Sequence, residues 1–345
     1  MNKLLRPTIV IAEMHYSKSH LKLNERYIDL ISTFADIILV TDGEYFRSKF
    51  DTIKTIKIKR FYSKRIDYLK YFLHVLNLVQ IAWKIRKIDY SSILFLSIHS
   101  RSLLKCLGLF KKNSIVAFHH YDIDRMLNSD YETNLFNKRA NKFKHLVLAS
   151  FIKEGLCKKT SVLPENVYIV NQPKIVNSQE RELKKRDIVL SIGQAYNSIL
   201  IDELIEKILS TNTELRYKLV IRTKNKTLKD KDVELFSGFL EREAYDELFT
   251  RAVAILITYP DTYQLRYSGV IDDALSKGIP VICNDLPISR YFSKLYPHSC
   301  KIFLSINELI EILKNPIDSE NSDFRNFELS RTDSIIISQL EQALK

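Results

Sequence analysis

Short apolar, β-branched runs alternate with longer segments of helical period along this 345-residue chain. Residues 8–12 (TIVIA), 36–40 (DIILV), 92–96 (SILFL), 114–118 (SIVAF), 144–149 and 166–170 predict strands, while 24–32 and 66–88 predict helices. A polar stretch without strong periodicity, 174–187 (KIVNSQERELKKRD), interrupts the pattern. It restarts at 188–192 (IVLSI), closed by Gly193, and continues with strands at 218–221, 233–236, 252–257 and 280–283. Helices are predicted at 201–209, 268–277, 307–313 and 332–344. Such alternation implies an α/β protein with parallel sheets. The expected organisation is one domain over 1–175, a linker over 176–187, a second domain over 188–330 and a closing helix within 331–345.

Length agrees with two domains of roughly 100–200 residues each. Charge separates them. Residues 1–175 hold 30 Lys and Arg against 15 Asp and Glu, whereas 176–345 hold 23 against 26. The excess peaks in 54–87, with ten basic residues and one acid, Asp67. Tyr62, Tyr68, Tyr71, Phe72 and Trp83 interleave with that charge. The region reads as a solvated positive face, as a surface for an anionic membrane, or as a nucleic-acid contact, the last without a recognisable motif. The four cysteines, Cys106, Cys157, Cys283 and Cys300, form no CxxC pair and have no His at metal-ligand spacing. They read as buried reduced thiols, which fits a reducing cytosol. The start lacks a signal-like apolar region, and the longest apolar stretch, 71–85, contains His74, Asn77 and Gln80 and falls short of the ~20 residues of a membrane span. No membrane crossing is expected.

The most informative stretch is 259–287, YPDTYQLRYSGVIDDALSKGIPVICNDLP. A strand delivers the chain to a polar loop, and Ser268-Gly269 opens a helix whose first N–H groups attract anions. Gly269 admits close approach of a diphosphate, Arg266 offers a forked donor, and Asp272 and Asp273 are carboxylates for ribose hydroxyls. A capped helix with favourable acids and an exposed Arg explains the same residues. In the first half, His119, His120 and Asp122 follow a strand, where parallel sheets bind ligands. A packed or solvated His pair is the plainer alternative, and no third ligand supports a metal. His15 and His20 follow the first strand and are candidates for the acceptor side.

This stretch resembles the donor-binding signature of GT-B glycosyltransferases, especially the family-4 type. The matching pieces are Tyr267-Ser268-Gly269, Asp273 and the turn Gly278-Ile279-Pro280-Val281-Ile282. Phe236-Ser237-Gly238-Phe239-Leu240 with 245–249 (YDELF) is similar to the segment lining the nucleotide base. The resemblance covers 144–287, and the N-terminal half more loosely. It implies two Rossmann-like domains facing an interdomain cleft, with the last helix crossing back to the first domain. It also implies sugar transfer with retention from a nucleoside-diphosphate donor of UDP or GDP type, without cofactor or metal. The expected donor set is Gly193, Phe239, Tyr267, Ser268 and Gly269, with Arg222, Lys224 and Arg266 as its cations. Asp273 is expected to hold ribose or sugar hydroxyls; the resemblance places His120 by the reacting sugar, and His119 and Asp122, its neighbours, and His15 are expected on the acceptor side. Two departures stand out. The first of two family glutamates aligns with Leu265, and an Arg/Lys pair aligns with Gln194 and Ile199. Arg222 and Lys224, in a loop after a strand, and Arg266 are the expected substitutes. The expected role is cytoplasmic, at the inner face of the plasma membrane, in polysaccharide or capsule assembly on a lipid-linked glycan acceptor, with no nucleic acid as partner. A non-catalytic relative partnering an active transferase, and a nucleotide-sugar epimerase, remain as alternatives.

Overall fold

Continuous β-branched runs with few polar interruptions form strands covered on both faces, and parallel pairing follows from helical crossovers between them. The computed structural model describes residues 6–13, 20–46, 50, 52–61, 67–112, 114–120, 122–174, 186–193, 196–211, 213–238, 240–317 and 319–345. His15, Phe239 and most of 176–187 lie outside the described residues. The chain divides into two units: Met1–Ile175 with Leu265–Tyr267 and Arg331–Lys345, and Val176–Gln264 with Ser268–Ser330.

The first unit runs β1 (Thr8–Glu13), α1 (Leu21–Ser32), β2 (Asp36–Thr41), β3 (Lys54–Lys57), α2 (Asp67–Ile85), β4 (Ser92–Ser97), α3 (Ser100–Cys106), β5 (Ile115–Phe118), α4 (Asp122–Leu127), α5 (Asp130–Asn137), β6 (Lys144–Val147), α6 (Ser150–Lys159) and β7 (Val167–Ile169). Its parallel sheet has the order β3-β2-β1-β4-β5-β6-β7, which reverses direction between β1 and β4. Val10, Ile11, Leu94, Phe95 and Ala117 are fully buried along it. The polar residues inside the apolar run of α2 have a specific task. Asn77 exchanges hydrogen bonds with both backbone groups of Phe61, at 3.0 Å each. Gln80 does the same for Lys59, at 2.7 and 2.9 Å. Carboxamides one helical turn apart thus pair with alternate residues of an extended segment, as a neighbouring strand would. The basic segment after β3 is thereby fastened to α2.

The second unit runs β8 (Ile188–Ser191), α7 (Ser198–Ser210), β9 (Lys218–Thr223), β10 (Leu228–Lys229), β11 (Val233–Ser237), α8 (Arg242–Arg251), β12 (Ala252–Ile257), α9 (Gly269–Ser276), β13 (Val281–Asn284), α10 (Pro287–Leu295), β14 (Cys300–Phe303), α11 (Ile306–Lys314) and α12 (Asn321–Leu329). The order is β10-β11-β9-β8-β12-β13-β14, parallel except for the β10–β11 pair. It reverses between β8 and β12. Leu204, Leu219, Ala254, Ile282 and Leu309 meet in one core. The helix stop before β13 is a Schellman motif. Gly278, at φ 64°, donates to Leu275 O and Ile279 donates to Ala274 O. Ile279 is buried beside it, and Pro280 prevents the helix from continuing. Much of the Gly-x-Pro-Val-Ile turn is therefore helix-ending chemistry.

The last helix, α13 (Asp333–Leu344), belongs to the first unit and packs on α1 and β7. Asp333 pairs with Arg26, Gln339 accepts from Asn171 N, and the Leu344 carbonyl accepts from Ser92. Among the described residues no helix is long and apolar enough to cross a membrane. All four cysteines are free; Cys106, Cys283 and Cys300 are buried, and Cys157 is half-buried.

Asn284, at the end of β13, accepts from Tyr259 N at 3.0 Å and donates to Tyr259 O at 2.8 Å, so its side chain prolongs the β12–β13 pairing by one residue. Asn284→Ala removes both partners from a buried backbone. We expect a loss of about 2–3 kcal/mol in urea denaturation. A loss under about 0.5 kcal/mol would show that the pairing carries little.

Candidate functional site

The C-terminal edge of the second sheet gathers the loops after β8, β12, β13 and β14. The loop after β12 ends at Ser268, which caps α9 by accepting from Ile271 N at 3.1 Å. Its hydroxyl is also hydrogen-bonded to that of Tyr259, 2.6 Å away, and Tyr259 stacks on Tyr263 at 4.1 Å between ring centres. Burial pushes the Tyr259 phenol far above its ordinary range and the neighbouring Cys283 thiol up to about 12. Ser268 is therefore a buried cap, and its side chain is not turned outward as a phosphate contact. Gly269 is exposed, and a Cβ built there would meet nothing within 4 Å. The first N–H groups of α9 thus stand beside open space, in a helix whose macrodipole favours an anion. One turn on, Asp273 accepts from the Tyr245 hydroxyl at 3.0 Å, while Asp272 is buried.

Of the expected cations, Arg222 lies inside β9 instead of in the loop after it, and its Nε donates to Gly238 O at 2.8 Å. Lys224 is exposed, with its backbone N–H held by the Tyr196 hydroxyl at 2.8 Å. That bond ties Lys224 to the chain between half-buried Gly193 and α7.

Leu265, Arg266 and Tyr267 belong to the first unit. Asp124, 3% exposed, accepts from Leu265 N at 2.7 Å and pairs with Arg266 Nε at 2.9 Å. Arg266 is thus half-buried, with its Nε held against a buried carboxylate. Leu265 is buried, and a Cβ on Gly155 would collide with its side chain. A glutamate at 265 would bury a second charge beside Asp124, so this position disfavours a carboxylate. The Tyr267 hydroxyl accepts from buried Arg331, whose other arm reaches Gln172 O at 3.0 Å. Tyr267 is thus buried and held, another departure from a donor contact.

At the ends of β4 and β5 the structure builds a buried relay. His145 Nε2 lies 2.9 Å from the Ala140 carbonyl, which only accepts, so that nitrogen is protonated. Burial pushes the His145 imidazole down to about 3, leaving Nδ1 bare. Nδ1 then accepts from His119 Nε2 at 2.9 Å. His119 Nδ1 faces Asp122 Oδ2 at 2.7 Å, and Ser100 donates to the same oxygen at 2.5 Å. Burial raises the Asp122 carboxyl, but His119 and Ser100 outweigh it and hold it well below the carboxylate range. His119 and Asp122 are 1% and 3% exposed, so they fix the loop that bears His120 instead of facing an acceptor. His120 is half-buried, donates from Nε2 to Leu96 O at 2.9 Å, stacks on Phe118 and meets His20 edge-on at 4.7 Å. Burial and His20 push it down to about 3, so near neutral pH it offers Nδ1 as an acceptor for a hydroxyl and no proton to give.

Two features escaped the sequence reading. Glu13 closes β1 at the point where the first sheet reverses direction. It is buried, accepts from Asn24 Nδ2 at 2.9 Å and bonds Ser97. A single carboxylate in an apolar run gives no signal until β4 brings Ser97 alongside. In the second unit, an open cavity of about 590 Å³ lies at the starts of α7 and α11, lined by Asn197, Glu203, Lys207, Asn284, Ser305 and Asn307 among others. Its walls come from three separate strand ends. Among the described residues no group of three or more His, Cys, Asp or Glu side chains could hold a metal ion.

No family model and no curated protein match the chain. Solved structures match in fold. A glycosyltransferase from Rickettsia africae is 10% identical with a TM-score of 0.68, covering 99% of this chain and 98% of its own. Sucrose-phosphate synthase from Thermosynechococcus elongatus is 11% identical with a TM-score of 0.68, covering 98% of both chains. LpCGTa, solved with UDP, is 10% identical with a TM-score of 0.60, again covering 98% of both. The fold is that of the GT-B glycosyltransferases, with which the two parallel-dominated seven-stranded sheets are consistent.

The relay makes a pH prediction. Below about pH 6.5 the unfolded chain takes up a proton at His145 that the folded chain refuses until about pH 3. Stability should therefore fall as pH falls through that window, by about 1.4 kcal/mol per pH unit for this group, with His120 acting in the same direction. His145→Gln should remove about one such increment from the slope of unfolding free energy against pH. An unchanged slope would mean that His145 is not buried neutral.

Proposed function

We propose that this protein is a glycosyltransferase that takes a sugar from a nucleoside-diphosphate donor of UDP or GDP type and passes it, with retention, to a lipid-linked glycan acceptor. Assembly of a cell-surface polysaccharide such as a capsule, by an enzyme peripheral to the inner face of the plasma membrane, belongs to the same reading. The observation that carries it is the start of α9: a Ser-capped helix end, on the C-terminal edge of a parallel sheet, with open space at Gly269. Open α/β sheets bind ligands at that edge, and a diphosphate suits unpartnered N–H groups at a helix start. Lys224 supplies an exposed cation on the same sheet edge, and Asp273, steadied by Tyr245, is the carboxylate for ribose or sugar hydroxyls. His120 is assigned to accept a hydrogen bond from a sugar hydroxyl, with His119 and Asp122 holding it in place. Arg266, paired with Asp124, leaves the donor set, and charge compensation for the diphosphate falls to α9 and Lys224. The buried Leu265 is the observation that favours the second reading, a non-catalytic relative that partners an active transferase.

A thermal-shift panel of UDP, GDP and their sugars tests this. One base should raise the melting temperature, since a ligand at a hundred times its Kd stabilises by about 2.7 kcal/mol. Gly269→Asp should melt no lower than wild type, because an acid in the first turn suits the helix dipole, yet should lose the nucleotide response. An undiminished response would move the donor site elsewhere. No response to any nucleotide in the wild type would favour the non-catalytic partner.

A further inference from the structure

Helix α2 has an apolar face on both sides. Leu78, Ile81, Ala82 and Ile85 are buried in the first unit. Leu69, Phe72, Val79 and Trp83 point outward and are 38%, 50%, 44% and 56% exposed. With half-buried Leu76, their spacing alternates three and four residues. At ~100° per residue they form one narrow stripe, centred opposite the buried face. Charged residues are expected on that side of a helix in a water-soluble domain.

Cations surround the stripe. Lys84 Nζ and the Arg86 guanidinium lie 5.5 and 5.1 Å from the Trp83 ring at its C-terminal end. At the other end, Arg101 and Lys105 of α3, which packs on α2, sit over Tyr71 at 4.7 and 5.5 Å and over Tyr131 at 5.0 and 5.9 Å. Lys59, exposed, is clamped alongside by Gln80. Exposed aromatics capped by cations suit a surface that is apolar beneath and anionic at its boundary.

We propose that the outward stripe of α2 is a docking face for an anionic lipid bilayer. Phe72 and Trp83 seat at the boundary of headgroups and acyl chains. Lys59, Lys84, Arg86, Arg101 and Lys105 meet lipid phosphates. A second copy of the chain is a poor occupant, because a two-fold contact through this face sets like charges against each other. A nucleic acid answers the charge but gives Leu69 and Val79 nothing to bury against. This gives the membrane-surface part of the functional reading a particular element and rests on it. The test reads neither nucleotide nor sugar, so its failure is distinct from failure of the transferase reading.

Trp83 is the chain's single tryptophan, so its emission reports this face alone. The full chain is titrated with vesicles of equal parts phosphatidylglycerol and phosphatidylcholine, and with phosphatidylcholine alone. Anionic vesicles should shift the emission to the blue, and brominated acyl chains should quench it; neutral vesicles should do neither. Raising the salt from about 0.1 to 0.5 M should weaken binding, as screening requires. Phe72→Ser should weaken partitioning roughly ten-fold or more, and Lys84→Gln or Lys105→Gln about five-fold each. Unaltered melting temperatures would show these surface variants to be folded. Vesicle binding with unmoved, unquenched Trp83 emission would overturn the proposal. So would absence of binding, equal response to neutral vesicles, or a blue shift that follows protein concentration without lipid.

Discussion

A carboxylate removed from water must be matched donor for donor, and this protein repeatedly spends that requirement on its loops. Asp124 takes Leu265 N–H and Arg266; Asp122 takes His119 and Ser100; Glu13 takes Asn24 and Ser97. In the second unit, Asp323 accepts from the backbone of His298 and Ser299 ahead of β14. Parallel sheets leave both strand ends to irregular backbone, which has no ladder to satisfy it. Buried acids supply acceptors there without adding flexible surface. What is left for a ligand is decided by which groups the acids do not claim.

That selection reshapes the candidate site. Several residues of the right chemical type for a donor site prove to be committed: Ser268 to Tyr259 and Ile271, Tyr267 to Arg331, Arg266 to Asp124. The open features are fewer: the start of α9 at Gly269, Lys224 and the ring of His120. In the proposed function a neutral His120 would act through a hydrogen bond, which would suit a reaction whose main demand is stabilising charge on a leaving diphosphate.

The interior of the fold was legible because buried parallel strands announce themselves as apolar runs; β1, β2, β4, β5, β8, β9 and β12 all read directly. The strands that escaped, β3, β10 and β14, are all sheet edges. With one side open, Lys54–Lys57 carries two lysines in four residues and reads as a charged segment, a common defence of an edge against further pairing. At the site, local chemistry was readable: the Ser268 cap and the Gly278 helix stop each lie within a few residues of their partners. The fate of Arg266 and Leu265 was not, since Asp124 stands 141 positions from Leu265. The relay was half visible, as His119 and Asp122 are neighbours in the chain, but His145 enters only through the β5–β6 pairing. The outward face of α2 was seen as charge mixed with aromatics; that its apolar members share one stripe required knowing which side of the helix is buried.

The central claim is that a donor diphosphate rests on the start of α9. A crystal structure of the protein with a bound nucleoside diphosphate tests it most directly. Phosphate oxygens within hydrogen-bond distance of the Gly269 and Val270 N–H groups are the predicted result. A nucleotide seated instead in the cavity between the starts of α7 and α11, with the Gly269 edge empty, would contradict it.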